Sequence, residues 1–129
     1  MTTFVTVTGA WHGAWAVESF NDALRGLGYQ ALGLTLPSLA GLDRRGIPAD
    51  IQAVSQALDS LSDDVVLAGH SNAGVVITQA GMHPSVRRLV YLAAFMPDLG
   101  QTASSLMSGE GFRNSGEATL QPVMRRSVD

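Results

Sequence analysis

Residues 66–74 read VLAGHSNAG, Val66 to Gly74, and their reading decides the fold. Val65 to Ala68 is a short, wholly apolar run of the kind that forms a strand buried on both faces. It stops at Gly69. Two residues later stands Ser71, and a window of helical character opens there and runs to His83, closed by Pro84. A strand that turns sharply at a serine into a helix is the setting of the G-x-S-x-G elbow. Such a turn crowds the residues two before and two after the serine, so both positions favour a minimal side chain. Here they are Gly69 and Ala73, with Gly74 next. The plainer alternative is a βα turn whose serine caps the helix.

Working outward from that turn, the flanking chain repeats the same alternation. Phe4 to Thr8 is rich in β-branched residues and runs into Gly9, a strand. Between Ala14 and Leu27 the spacing changes. Phe20, Ala23, Leu24 and Leu27 fall at i, i+3, i+4 and i+7, one face of a helix that ends at Gly26 and Gly28. Gln30 to Leu36 is a second strand, stopped by Pro37. A polar loop follows, then a helix carrying Ile51, Val54, Leu58 and Leu61, with Pro48 near its start. Asp63 and Asp64 precede the strand at Val65, and Leu89 to Phe95 is a fourth strand. Strands alternating with helices predict an α/β fold, with a mostly parallel sheet of about four strands between two helical layers. Residues 1–97 read as this core. Residues 98–129 are rich in Gly, Ser and polar groups, with one short helix expected around Thr102 to Met107.

Composition narrows the function. A chain of 129 residues fits one domain, and 46% hydrophobic residues supply a core. The formal net charge is −3, and the basic residues are all arginine, clustered only in pairs such as Arg44-Arg45 and Arg87-Arg88. A surface that tracks phosphates needs a basic balance, so nucleic acid is excluded as a partner. With no cysteine there is no disulfide frame, thiolate metal site or cysteine nucleophile. The N-terminus lacks a basic segment followed by a long apolar run, so neither a signal peptide nor a membrane span is expected. A cytoplasmic protein without metal or cofactor is the default expectation.

The elbow carries chemistry beyond its serine. The main-chain N–H of Asn72, at the start of the helix, points to where a tetrahedral oxyanion would form. A second donor is expected from the loop after the first strand, TGAWHGAW, residues 8–15.

Three segments together resemble the α/β-hydrolase superfamily, in the branch of small plant-type esterases, hydroxynitrile lyases and their bacterial relatives. FVTVTGAWHGAW, from Phe4, resembles the first core strand and oxyanion loop. VVLAGHSNAG, from Val65, resembles the nucleophile elbow. LVYLAAFMPDLGQT, from Leu89, resembles the following strand and the entry to the lid, so that residues 98–129 would begin the lid or an irregular tail. The likeness runs from about Thr3 to Thr102. It implies Ser71 as nucleophile and Ala10 as the second oxyanion donor beside Asn72. Thr8-Gly9 stands where the family usually has His-Gly. The family's acid and histidine follow strands that this chain does not contain.

A serine hydroxyl needs a base, and three histidines are available. Neighbours on a strand face opposite ways, so His70 points away from the serine's pocket. His83 lies twelve residues on, roughly 18 Å along the helix at about 1.5 Å per residue. His12 alone has reach, and its plainer role is to brace the following helix, since hydrogen-bond reach to the serine comes first. Asp98 follows the fourth strand, where some hydrolases of this fold keep their acid; its plainer role is to open a loop. Trp11 and Met96, at strand ends, are candidates to wall an apolar substrate pocket, and Phe95 reads as core.

These residues predict an ester-hydrolase scaffold for a small apolar ester, with the chain as the N-terminal half of a longer hydrolase and nearly inert alone. A lyase would need the same absent base. LVYLAAF carries no lysine, proline or bulge of the kind that protects an edge, so self-association through an open sheet edge is expected. The alternative class is a non-catalytic, degenerate domain that binds a small apolar ligand or a partner chain. A nucleotide-binding fold ranks last, because GAWHGAW is not G-x-G-x-x-G.

Overall fold

The computed structural model describes residues 1–39 and 46–98. The short helix expected around Thr102, and all of the C-terminal segment after Asp98, lie outside the described residues. Among the described residues four strands form one sheet: β1 (Thr2–Val7), β2 (Gln30–Leu34), β3 (Asp64–His70) and β4 (Val86–Leu92). Their order is β2-β1-β3-β4, and every pair is parallel. The helices are α1 (Glu18–Gly26), preceded by a 3-10 turn at Ala14–Val17, α2 (Ile47–Asp59) and α3 (Ala73–Ala80). The predicted α/β class and its parallel sheet are what the chain forms.

The core lies between the sheet and α2 and α3. Val5 and Val7 of β1, and Val65 and Leu67 of β3, pack with Val54 and Leu58 of α2 and Val76, Ile77 and Ala80 of α3. Each is buried essentially completely, and a fully buried Val, Leu or Ile contributes about 1.5–3 kcal/mol of transfer free energy. Alternate residues of β1 face the opposite way. There Thr6 Oγ1 donates to Asn21 Oδ1 of α1 at 3.0 Å. So α1 covers one face while α2 and α3 cover the other. Right-handed crossovers demand this arrangement, because the chain moves one way from β1 to β2 and the other way from β2 to β3 and β4. The reversal leaves β1 and β3 as neighbours whose following helices part to opposite faces. In open α/β sheets that switch point, beyond the carboxyl ends of the strands, is where ligands bind.

Two elements differ from expectation in physically informative ways. The first helix does not run unbroken from Ala14. Its opening turn is 3-10, with the Ala14 N–H donating to Thr35 Oγ1 at 2.8 Å, a tertiary contact that no local pattern encodes. The buried positions of α1 are Asn21 and Leu24, whereas Phe20 and Leu27 are exposed. The face is set by the Thr6–Asn21 hydrogen bond as well as by apolar spacing. The fourth strand begins at Val86 and not Leu89. It thereby takes in Arg87 and Arg88, both exposed, and Arg87 Nε donates to Asp64 Oδ1 of β3 at 2.8 Å. Among the described residues β4 ends the sheet, and its solvent side tolerates the charges.

Candidate functional site

The site forms where β1 and β3 end together. β3 passes through Gly69 and His70 into Ser71, whose φ is 56°. A residue with a side chain pays about 1–2 kcal/mol for this left-handed conformation. The serine is not a helix cap. The residue before α3 is Asn72, and no side chain caps that end. The strain belongs to the turn itself, and two devices hold it. The Ser71 N–H donates to Leu92 O at 3.4 Å, and Ser71 O accepts from the Phe95 N–H at 3.1 Å and the Gly74 N–H at 3.1 Å. The turn is thus sewn to the end of β4.

The small residues around the serine are required by close approach. A Cβ on Gly74 would lie 1.8 Å from Phe95 O, inside any possible contact. One on Gly69 would meet Ile77 Cδ1 at 2.9 Å and Ala73 O at 3.1 Å. Gly9, in the loop after β1, abuts the turn from the other side. Its Cβ would fall 2.7 Å from Ser71 Cβ and 3.2 Å from Asn72 N. The loop that carries Ala10 therefore rests directly on the serine turn, and the Asn72 nitrogen, just before α3, lies beside it. The structure brings Ser71 and Asn72 together with Gly9, the residue before Ala10.

The loop has its own bracing. The His12 N–H donates to Gly9 O at 3.3 Å, closing a turn around Ala10 and Trp11. Trp11 takes φ 65°, the sign that a type II turn requires at its third residue. Thr8, fully buried, donates through Oγ1 to His12 O at 2.8 Å. The His12 ring hydrogen-bonds Ala10 O through Nδ1 at 2.8 Å.

Among the described residues none of the three candidate imidazoles makes a hydrogen bond to Ser71. His12 is engaged with Ala10. His83 Nε2 lies 3.0 Å from Asp59 Oδ1 and its Nδ1 2.8 Å from Ser85 Oγ. His70 stands edge-on to His12, ring centroids 6.3 Å apart. With Leu92 of β4 and Val17 and Phe20 near α1, these two rings line a cleft of about 280 Å³. Trp11 and Met96 are each 72% exposed, on chain that follows β1 and β4, and neither lines that cleft. Phe95 is half-buried and Asp98 exposed. No cluster of metal-ligating side chains, and no helix long and apolar enough to cross a membrane, occurs among the described residues.

Sequence reasoning missed one buried carboxylate on α2. Asp50, 1% exposed in the first turn of α2, accepts from the Ser38 N–H at 2.9 Å and the Ser38 hydroxyl at 2.5 Å. It ties the loop after β2 to the core. The twelve-residue separation of the two gave no local signal, because the contact exists only once the loop folds back.

Residues 4–127 match the alpha/beta hydrolase family. A carbendazim-hydrolysing esterase from Nocardioides is 36% identical over 118 residues, covering 83% of this chain and 48% of the relative. Methylesterase 2 of Arabidopsis thaliana is 32% identical over 130 residues, covering 87% of this chain and 49% of that one. A solved extracellular α/β-hydrolase from a Paenibacillus species, described as sharing structural and functional homology with tobacco salicylic acid binding protein 2, superposes with a TM-score of 0.70. It is 26% identical, and the superposition covers 88% of this chain and 52% of its own. The chain spans about half the length of the curated relatives it matches.

Proposed function

The chain belongs to the α/β-hydrolase family, with esterases among its relatives, and on that premise we propose that it is the nucleophile-bearing part of a carboxylic ester hydrolase. Ser71 attacks the acyl carbon of a small apolar ester. The main-chain N–H groups of Ala10 and Asn72 take the negative charge that develops on the carbonyl oxygen. The attack forms the Ser71 Oγ–carbon bond, the alcohol leaves with a proton, and water then releases the acid. On this reading the proton acceptor, and the acid that orients it, lie outside the described residues, among which no histidine hydrogen-bonds Ser71. Trp11 and Met96, both exposed beyond the strand ends, form the rim over which the apolar part of the substrate enters.

One observation carries this reading. Ser71 is held left-handed at the end of β3 by hydrogen bonds to the end of β4, with Gly9 pressed against it. Strain of this kind persists where surrounding structure over-determines it, and it gathers at functional sites. A chain with nucleophile and oxyanion hole but no base retains roughly 10³ of catalysis over water, so its reaction with an ester is slow. An alkyl fluorophosphonate incubated for hours is the suitable probe. Intact-mass analysis is expected to show one adduct on the wild-type chain and none on Ser71→Ala. Equal labelling of both would reject the proposal.

The outer edge of β4 gives the chain a second property, pairing with another copy. Sedimentation is expected to show a concentration-dependent dimer. A clean monomer at high concentration would contradict it.

A further inference from the structure

We propose that His12 is the positioning residue of the oxyanion loop, holding the Ala10–Trp11 peptide so that its carbonyl cannot turn toward Ser71. The inference rests on the ester-hydrolase reading above and adds a role to it.

A carbonyl oxygen only accepts, so the 2.8 Å contact between His12 Nδ1 and Ala10 O places the hydrogen on Nδ1. The bond acts on the central peptide of the Gly9–His12 turn. In such turns that peptide has two orientations, type I and type II, related by turning it over. Type II demands a left-handed third residue, which favours glycine. Here that residue is Trp11 at φ 65°, so local preference opposes the observed orientation and something else must hold it. Two side-chain hydrogen bonds do so. The His12 ring takes the Ala10 carbonyl, and Thr8 Oγ1 takes the His12 carbonyl at 2.8 Å. The ring that holds the carbonyl stands 5.6 Å from Trp15 and 6.3 Å from His70, centroid to centroid. It lines the cleft beside Val17 and Phe20, on the α1 face of the sheet. The Ala10 oxygen is drawn to that face. Turned over, the peptide would swing the same oxygen to the other side of the loop, the side on which Gly9 meets Ser71 and Asn72. A lone pair there would repel the oxyanion that the neighbouring Ala10 N–H is placed to bind.

The test compares the full chain with His12→Phe, which keeps a ring and loses the donor, and His12→Asn, which restores a side-chain N–H. Two readouts are taken: the Ala10 carbonyl carbon shift by NMR, and the rate at which a fluorophosphonate labels Ser71 from pH 5 to 8. The Ala10 resonance is expected to move in His12→Phe and return toward wild type in His12→Asn. Labelling is expected to slow about tenfold in His12→Phe, a fraction of the 10²–10³ that loss of a whole oxyanion donor costs. His12→Asn should label within about threefold of wild type, with the same pH profile. Wild-type labelling speed in His12→Phe, or an Asn variant that folds and labels as slowly as the Phe variant, would overturn the inference. So would a labelling pH profile in His12→Asn that differs from wild type, which would make His12 a base. If the wild-type chain takes no label, the hydrolase reading fails on its own. The carbonyl shift then decides the clamp: an Ala10 resonance unmoved in His12→Phe rejects it.

Discussion

Replacing Gly74 by alanine sets two effects of opposite sign against each other. Gly74 lies in the first turn of α3, where helix propensity alone favours alanine over glycine by about 1 kcal/mol. Geometry opposes it. The new Cβ would sit 1.8 Å from Phe95 O, and contacts below 3.0 Å are essentially never seen, so that carbonyl must retreat by about 1.2 Å. The Phe95 N–H···O Ser71 bond at 3.1 Å and the Ser71 N–H···O Leu92 bond at 3.4 Å both lie across this junction, and losing them costs about 1 kcal/mol each. Forcing a methyl into packed surroundings adds about 1–3 kcal/mol. After the propensity gain is subtracted, the net loss is about 2–4 kcal/mol. For a chain of this length that lowers Tm by about 10 °C. The assay is thermal and urea unfolding followed by circular dichroism. The control is Gly26→Ala at the end of α1, where an added Cβ meets nothing within 4 Å and a gain of up to about 1 kcal/mol is expected. A Gly74→Ala chain as stable as wild type would refute the packing argument, since propensity would then be the whole effect.

Ser71→Gly removes the penalty of a left-handed residue with a side chain, and is expected to raise stability by about 1 kcal/mol while abolishing phosphonate labelling; a less stable variant would show that φ 56° carries no strain. Asp50→Ala leaves the half-buried Ser38 N–H and hydroxyl without their acceptor, and should cost about 1–2 kcal/mol in urea unfolding, with a neutral result removing Asp50 from the support of the β2 loop. Ile77→Ala empties the space between α3 and Gly69, and should lower stability by about 3 kcal/mol, against under 1 if the site collapses without cost.

The parts of the fold legible in the sequence are those governed by local rules. Val65 to Ala68 is continuous and apolar because β3 is buried on both sides. Ile51, Val54 and Leu58 recur at helical spacing because α2 shows one face to the core. Gly69 and Ser71 are legible because a tight strand-to-helix turn restricts residue type at the turn. What escaped is tertiary. Asn21 is a buried polar residue whose meaning needs Thr6 across the layer. Arg87 and Arg88 look like a strand's end until Asp64 is placed beside Arg87. Gly74 reads as a weak helix residue, and only the return of the chain at Phe95 shows that nothing larger fits. His12 reads in the sequence as a brace for the following helix, but its ring hydrogen-bonds the Ala10 carbonyl. The geometry of a turn decides that, and spacing does not.

The most direct measurement is a crystal structure of the chain after prolonged reaction with the fluorophosphonate. The account predicts phosphorus bonded to Ser71 Oγ, with its phosphoryl oxygen within about 2.7–3.1 Å of both the Ala10 and Asn72 nitrogens. A label on any other residue, or an oxygen directed away from those two amides, would contradict it.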